Sequence, residues 1–268
     1  MRDSYQAGPD IQVIPSDLPI PGLGLQAVNA FLVRGAEPFL VDTGMPVDRD
    51  GFQQALWSLI DPADLCWVVV THDDRDHTGS LAAVLAAAPQ ARLVTNPISL
   101  TRLGEEFDIP DDRVVTVNPG GVWNLPDRKI SFYRPPVYDS PGTVALFDHS
   151  DGTLYSSDSF GTVLSEPAQH ISEIPESEFF SGFSVLNRAI APWTALADEE
   201  KFRPALSRLA GLNPARLLSS HGPTVEGRLD DLFAAMSAIP SLPAWLADAD
   251  LDLDAALAAH EAAASVRP

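Results

Sequence analysis

The apolar run Leu65-Cys66-Trp67-Val68-Val69-Val70 ends abruptly in Thr71-His72-Asp73-Asp74-Arg75-Asp76-His77-Thr78-Gly79. A short run this rich in valine, bounded by polar residues, fits a strand buried on both faces. A loop leaving the carboxyl end of such a strand presents side chains in both directions. This one offers imidazoles and carboxylates at positions 72, 74, 76 and 77. Such a cluster suits a divalent metal, because imidazole serves zinc, iron and manganese alike while carboxylate favours the harder ions. Taken alone, it also fits a solvated acidic loop.

The surrounding pattern alternates strands and helices. Residues 26–33 and 38–42 read as strands joined by the turn at 34–38, and 48–60 carries Phe52, Leu56, Leu59 and Ile60 at helical spacing. Helix is expected over 78–88 and 98–107, and strand over 91–96, 113–117 and 128–133. A second hairpin spans 143–161, with Ser150-Asp151-Gly152 as its turn and Asp158 leaving its second strand. Residues 161–182 show no periodicity and are expected to be irregular, as a lid or loop beside a site. Helices are expected at 183–192 and 198–210, followed by a strand at 215–220 that ends in His221-Gly222-Pro223, and then by helices at about 228–238 and 244–265. No internal repeat or Gly/Ser linker marks a boundary, so residues 1–268 read as a single domain with a helical tail from about 228. That tail reads as a surface helix packed on the body, with a homo-oligomer contact as the alternative.

Val41-Asp42-Thr43-Gly44, the THxxxDHTG pattern at 71–79, Asp158 after a strand and Ser220-His221-Gly222-Pro223 together resemble, in order, the motifs of the metallo-β-lactamase superfamily. The resemblance implies a mixed α/β (α+β) four-layer αββα sandwich, with metals held in the loops at the sheet edges. Asp74 stands where most of that superfamily has a second histidine. A carboxylate there is similar to the flavodiiron branch, whose pattern is HxExDH followed by His, Asp and His, and Leu154–Gly161 resembles the segment around its bridging aspartate. Carried over, the resemblance implies that His72, Asp74 and Asp139 hold one metal ion, that Asp76, His77 and His221 hold the other, and that Asp158 bridges them. Two positions depart from the branch: Asp74 replaces Glu, and Asp139 replaces His. The shorter Asp74 is expected to need a shifted backbone or a bridging water. Asp42 is expected to hydrogen-bond near the metal loops without ligating. His149 and His260 read as surface residues, while His170 is the one further imidazole that could reach the site. Phe179, Phe180, Phe183 and Trp193 read as core, with the apolar face of a lid as the alternative.

Four carboxylates in this set would balance two divalent ions, with iron the first expectation and zinc or manganese the alternatives. The resemblance implies a protein that binds or reduces dioxygen or nitric oxide. No flavodoxin-like segment follows in these residues, so reduction is expected to draw on a separate electron-donor protein. A second reading is a metallohydrolase of an ester, lactone, thioester or phosphoester; here Asp76 and Asp158 are the catalytic candidates and Asp76 orients a metal-bound water. A third is a binding protein with a degenerate single-metal site. In each case the partner is a small-molecule substrate or a diatomic gas. A formal charge of −20 opposes contact with nucleic-acid backbones and anionic lipid. No apolar run approaches the roughly 18 residues of a membrane span, and the first ten residues lack the features of a signal peptide, so the chain is expected to be soluble and cytoplasmic. The single cysteine, Cys66, reads as a small buried hydrophobe.

Overall fold

The computed structural model of the chain describes residues 1–247. It opens with strands β1 (Tyr5–Gly8), β2 (Ile11–Ile20), β3 (Gly24–Val33) and β4 (Phe39–Val41), then helix α1 (Arg49–Leu59) and strand β5 (Trp67–Val69). Next come helices α2 (Arg75–Thr78) and α3 (Leu81–Ala87), strand β6 (Arg92–Thr95), helix α4 (Pro97–Leu103), and strands β7 (Val114–Thr116), β8 (Val122–Asn124) and β9 (Lys129–Tyr133). Strands β10 (Ala145–Asp148), β11 (Thr153–Tyr155) and β12 (Val163–Leu164) precede helices α5 (Glu176–Ile190) and α6 (Glu199–Ala210). Strands β13 (Arg216–Leu218) and β14 (Val225–Glu226) and helix α7 (Leu229–Ala238) complete the regular elements described.

One sheet has the order β1-β2-β3-β4-β5-β6-β7 with β12 beside β3, and the other has the order β14-β13-β11-β10-β9-β8. The period of two along a strand sorts its residues between layers. Phe31, Val33, Phe39, Val41, Val69 and Val94 point inward and meet Ile130, Phe132, Leu146, Tyr155 and Leu218 of the facing sheet. Their chain neighbours Ala30, Leu32, Leu40, Val68, Val70 and Leu93 point outward and are covered by Phe52 and Leu56 of α1, Leu81, Val84 and Leu85 of α3, and Leu103 of α4. On the far side Phe147, Leu154 and Leu217 lie under Phe179 and Phe183 of α5, Phe202 and Leu206 of α6, and Phe233 of α7. The result is the four-layer αββα sandwich expected. Phe179 and Phe183 are core residues, with Phe180 and Trp193 packed against them, so the aromatic cluster is interior and not the face of a lid.

Strands β4, β5 and β6 run parallel, and so do β11 and β13 across the other sheet. Their carboxyl ends therefore gather at one edge of the sandwich, as open sheets require of their ligand-binding loops. The sheets are tied there by backbone: Asn29 N–H donates to Ser220 O at 2.9 Å and Val144 N–H to Thr71 O at 2.9 Å.

Several expectations need correction. Residues 161–182 are not wholly irregular, since they contain β12, a 3₁₀ turn at Ile171–Glu173 and the start of α5 at Glu176. The helix expected over 78–88 is interrupted, with α2 ending at Thr78 and α3 starting at Leu81. Cys66 is partly exposed and lines an open groove of about 590 Å³ with Arg34 and Asp61. Strands β1, β2, β8 and β14 were not anticipated. His149 is exposed, as expected, with Nε2 2.8 Å from Ser131 Oγ. The helix expected over 244–265 falls almost wholly outside the described residues, as does His260, and residues 243–247 carry no regular structure. Among the described residues no helix is long and apolar enough to cross a membrane.

Phe132, fully buried between the sheets, sets a stability test. Phe132→Ala is expected to lose about 3–5 kcal/mol in urea unfolding, because the cavity cannot collapse between two hydrogen-bonded sheets; a loss under about 1 kcal/mol would contradict this packing.

Candidate metal centre

Each residue of the site lies beyond a strand's carboxyl end: Asp42 directly after β4, the 72–77 loop after β5, Asp139 further along the segment after β9, Asp158 after β11 and His221 after β13. Local backbone makes this possible. Asp42 has φ 59° and Ser157 has φ 56°, left-handed turns that swing the chain away from the strands. Gly79 lets the 72–79 loop close against Gly44, Met45 and Pro46, whose backbone a β-carbon at 79 would strike.

The predicted donors converge. His72 Nε2 lies 3.7 Å from Asp74 Oδ2, 3.6 Å from Asp139 Oδ1 and 3.3 Å from Asp158 Oδ2. His77 Nε2 lies 3.7 Å from Asp76 Oδ2 and 3.0 Å from Asp158 Oδ1, and His221 Nε2 lies 3.5 Å and 3.2 Å from the same two atoms. Two donor groups emerge, His72-Asp74-Asp139 and Asp76-His77-His221, and Asp158 turns one oxygen to each. Asp74 reaches its group directly despite its shorter side chain. Ligands about 2.0–2.2 Å from a common ion stand roughly 3.0–3.5 Å apart, so these spacings fit donors that share a cation.

Hydrogen bonding supports the same fit. The Nε2 atoms of His72 and His77 and both carboxylate oxygens of Asp158 are buried yet form no hydrogen bond of sound geometry, although they stand within 4 Å of one another. Orphaned buried polar atoms are costly unless something else satisfies them. Their opposite ends are all held. His77 Nδ1–H donates to Asp42 Oδ2 at 2.8 Å and His221 Nδ1–H donates to Ala27 O at 2.9 Å, while His72 Nδ1 is 3.2 Å from Ser157 Oγ. Ser157 Oγ donates to Thr71 Oγ1, which in turn donates to Asp42 Oδ2. Fixing Nδ1 in this way turns the Nε2 lone pair of each ring inward.

Charge is distributed to match. Burial alone would push the Asp158 carboxyl up, but the His72 and His77 imidazoles, with the His221 ring close beside them, hold it well below the usual range. For His77, burial is outweighed by Asp76, Asp42 and Asp158, which hold its imidazole well above the ordinary value; His221 is raised against burial by Asp158 and Asp76. Asp139 goes the other way, raised to about 6 by burial and by the Asp158 charge. Asp42 touches the site only through its hydrogen bonds, as expected. His170 does not join the cluster: its Nδ1 is 3.0 Å from Ser172 Oγ and its Nε2 is 3.9 Å from Glu226, so it does not supply the imidazole that Asp139 replaces. Ser157, which with Thr71 orients His72, has no spacing signal in the sequence, and Thr71 opens the THxxxDHTG pattern without a signal of this role.

The family model described as ODP family beta lactamase matches residues 25–222. The chain belongs to the ODP family beta lactamases. This family member is 28% identical over 205 residues to the diflavin flavoprotein A 1 of Thermosynechococcus vestitus, covering 75% of this chain and 34% of that protein. It is 24% identical to the anaerobic nitric oxide reductase flavorubredoxin of Salmonella arizonae, covering 72% of this chain and 40% of that one. Among solved structures, the rubredoxin oxygen:oxidoreductase of Desulfovibrio gigas superposes with TM-score 0.77 at 20% identity, covering 88% of this chain and 61% of that chain. The ODP family chain thus spans about a third to two fifths of the length of these curated relatives.

Two outcomes follow. Asp42→Ala is expected to weaken metal binding at the His77–His221 group by about 10–100-fold in calorimetric titration; unchanged affinity would contradict the orienting role. Because burial-opposed carboxylates hold the His77 and His221 imidazoles protonated to higher pH than free histidine, metal uptake must expel protons. Affinity should therefore rise as pH climbs above about 6.5, with buffer-dependent binding heats reporting proton release; a pH-independent affinity would contradict it.

Proposed function

We propose that this chain is a flavodiiron-type core: a single metallo-β-lactamase-like domain holding two iron ions and binding or reducing dioxygen or nitric oxide with electrons from a separate donor module. The observation that carries this reading is the Asp158 carboxylate, wholly buried and turned between two separate donor groups. The nitric oxide reductase and oxygen:oxidoreductase named among its relatives support the reaction class.

In this reading His72, Asp74 and Asp139 would hold one ion and Asp76, His77 and His221 the other, with Asp158 facing both groups. Two iron ions held there would supply the redox chemistry for reducing a diatomic. The chain's own residues provide the rest. Asp158 fixes the separation of the two groups, and the four carboxylates Asp74, Asp76, Asp139 and Asp158 neutralise the ions' charge. Asp42, directly and through Thr71 and Ser157, keeps the His77 and His72 rings aimed inward. The side chains of Asp74 and Asp139 are 44% and 34% exposed while the three imidazoles are 1–4% exposed, so a small molecule enters over the Asp74–Asp139 edge. The oxygen-rich donor set favours iron or manganese over zinc. In this reading the protein acts in the cytoplasm on a small substrate, and its formal charge of −20 disfavours nucleic-acid backbones and anionic lipid as partners.

Protein produced with ample iron is expected to carry two irons per chain and, once reduced, to consume dioxygen or nitric oxide in an electrode assay. His221→Ala and Asp158→Ala should each lose iron at the Asp76-His77-His221 group, whereas Asp139→Ala should lose it only at the other. One zinc per chain with turnover of esters or lactones would overturn the reading in favour of a hydrolase, and equal metal retention in all three variants would overturn the ligand assignment.

A further inference from the structure

Asp73 lies between two donors, His72 and Asp74, yet takes no part in either donor group. The Asp73 carboxylate is turned away from the site toward α4 and the segment between β9 and β10, its side chain 9% exposed. Both of its oxygens are taken up there. Ser99 Oγ donates to Oδ1 at 2.9 Å, Ser140 Oγ donates to the same oxygen at 3.2 Å, and Arg102 Nη1 donates to Oδ2 at 2.9 Å.

Ser140 adjoins Asp139, and the segment between β9 and β10 that carries both has no strand or helix of its own. Its shape depends on discrete ties. On one side of Asp139, Trp193 Nε1 donates to Tyr138 O at 2.9 Å. On the other side, the Ser140 hydroxyl is gripped by Asp73 and lies 3.4 Å from Arg102 Nη1. Gly142 packs so closely on Ser99 Oγ that a β-carbon there would strike it, which presses the same loop against α4. A carboxylate held by a serine pair and a guanidinium is a stiff anchor, since charge-assisted hydrogen bonds are short and directional.

We propose that Asp73 is a positioning residue: by clamping Ser140 it sets Asp139 at its 3.6 Å approach to His72, so that the tripeptide His72-Asp73-Asp74, which supplies two donors of that group, also fixes the third. The inference rests on the dinuclear reading above. It places the anchor of a partly exposed donor on the metal loop itself, and it explains how an aspartate on an irregular segment holds its position.

The test is calorimetric titration of metal-free protein with Mn²⁺, with electron paramagnetic resonance to separate a spin-coupled pair from an isolated ion. Asp73→Ala is expected to weaken Mn²⁺ binding at the His72 group by about 10–100-fold, leave the His77–His221 group unchanged and replace the coupled spectrum with that of an isolated ion at limiting metal. Ser140→Ala should act in the same direction, and Asp73→Asn, which still accepts from both serines, should recover part of the loss. In an Asp139→Ala background Asp73→Ala should add nothing, because its effect runs through Asp139. Unchanged affinity in Asp73→Ala, equal loss at both groups, or additive loss in the double variant would overturn the proposal while leaving the dinuclear site standing. Uptake of a single Mn²⁺ by the wild-type chain would remove the dinuclear reading and the proposal with it.

Discussion

A single buried carboxylate organises the functional edge of this molecule. Asp42 accepts from the Thr71 backbone N–H at 2.8 Å and from the Thr71 hydroxyl at 2.9 Å, from His77 Nδ1–H at 2.8 Å, and from Ser220 Oγ at 3.4 Å. An ionised group with 1% exposure is tolerable only when every lone pair is used. Here the partners come from three separate stretches of chain: the end of β5, helix α2 and the loop after β13. The left-handed turn at Asp42 is the conformational price of reaching all of them. Without it the His77 and His72 rings would lose the hydrogen-bond chain that orients them, and the sheet edges a shared polar centre.

Packing explains why that centre lies where it does. Alternate residues of each strand fill the space between the sheets and the space under the helices, so neither face of either sheet is free for a ligand. Only the strand ends remain. Parallel pairing of β4 with β5 and of β11 with β13 brings those ends to one side, and the Asn29–Ser220 and Val144–Thr71 backbone bonds lock the two edges together. Asp76 and His77 are borne by α2, and His72, Asp158 and His221 stand within a few residues of strand ends, which holds a metal geometry more closely than mobile loops do; Asp139, on the segment between β9 and β10, is the exception. The orphaned nitrogens and oxygens at the middle are the local imbalance that such a scaffold can sustain.

Much of this was legible in the amino-acid sequence, and the exceptions have physical causes. The valine-rich strand into the 71–79 loop, the hairpin around Gly152 and the order of His and Asp motifs are local signals, and the fold and the convergence of seven donor side chains follow them. Strand β2 was hidden because Pro15 and Pro19 interrupt it, although it pairs with β3 along its whole length. The first turns of α5 were hidden by Ser181 and Gly182, poor helix formers; Gly182 is there because β12 passes so close that a β-carbon would meet the Val163 carbonyl. Cys66 is partly exposed because the open groove beside it is completed by residues distant in sequence, Arg34, Gly35 and Pro38 of the turn after β3, which no local signal brings there. Asp73 and Ser157 carry no motif of their own, since what they hold in place is visible only once the loops have met.

On the proposed function, Asp158 would lie between two cations held by separate donor groups. Diffraction from crystals of the iron-loaded protein, measured across the iron absorption edge, tests it most directly. Two anomalous peaks flanking Asp158 are expected, one among His72, Asp74 and Asp139 and the other among Asp76, His77 and His221. A single peak, or iron bound away from the Asp158 carboxylate, would contradict it.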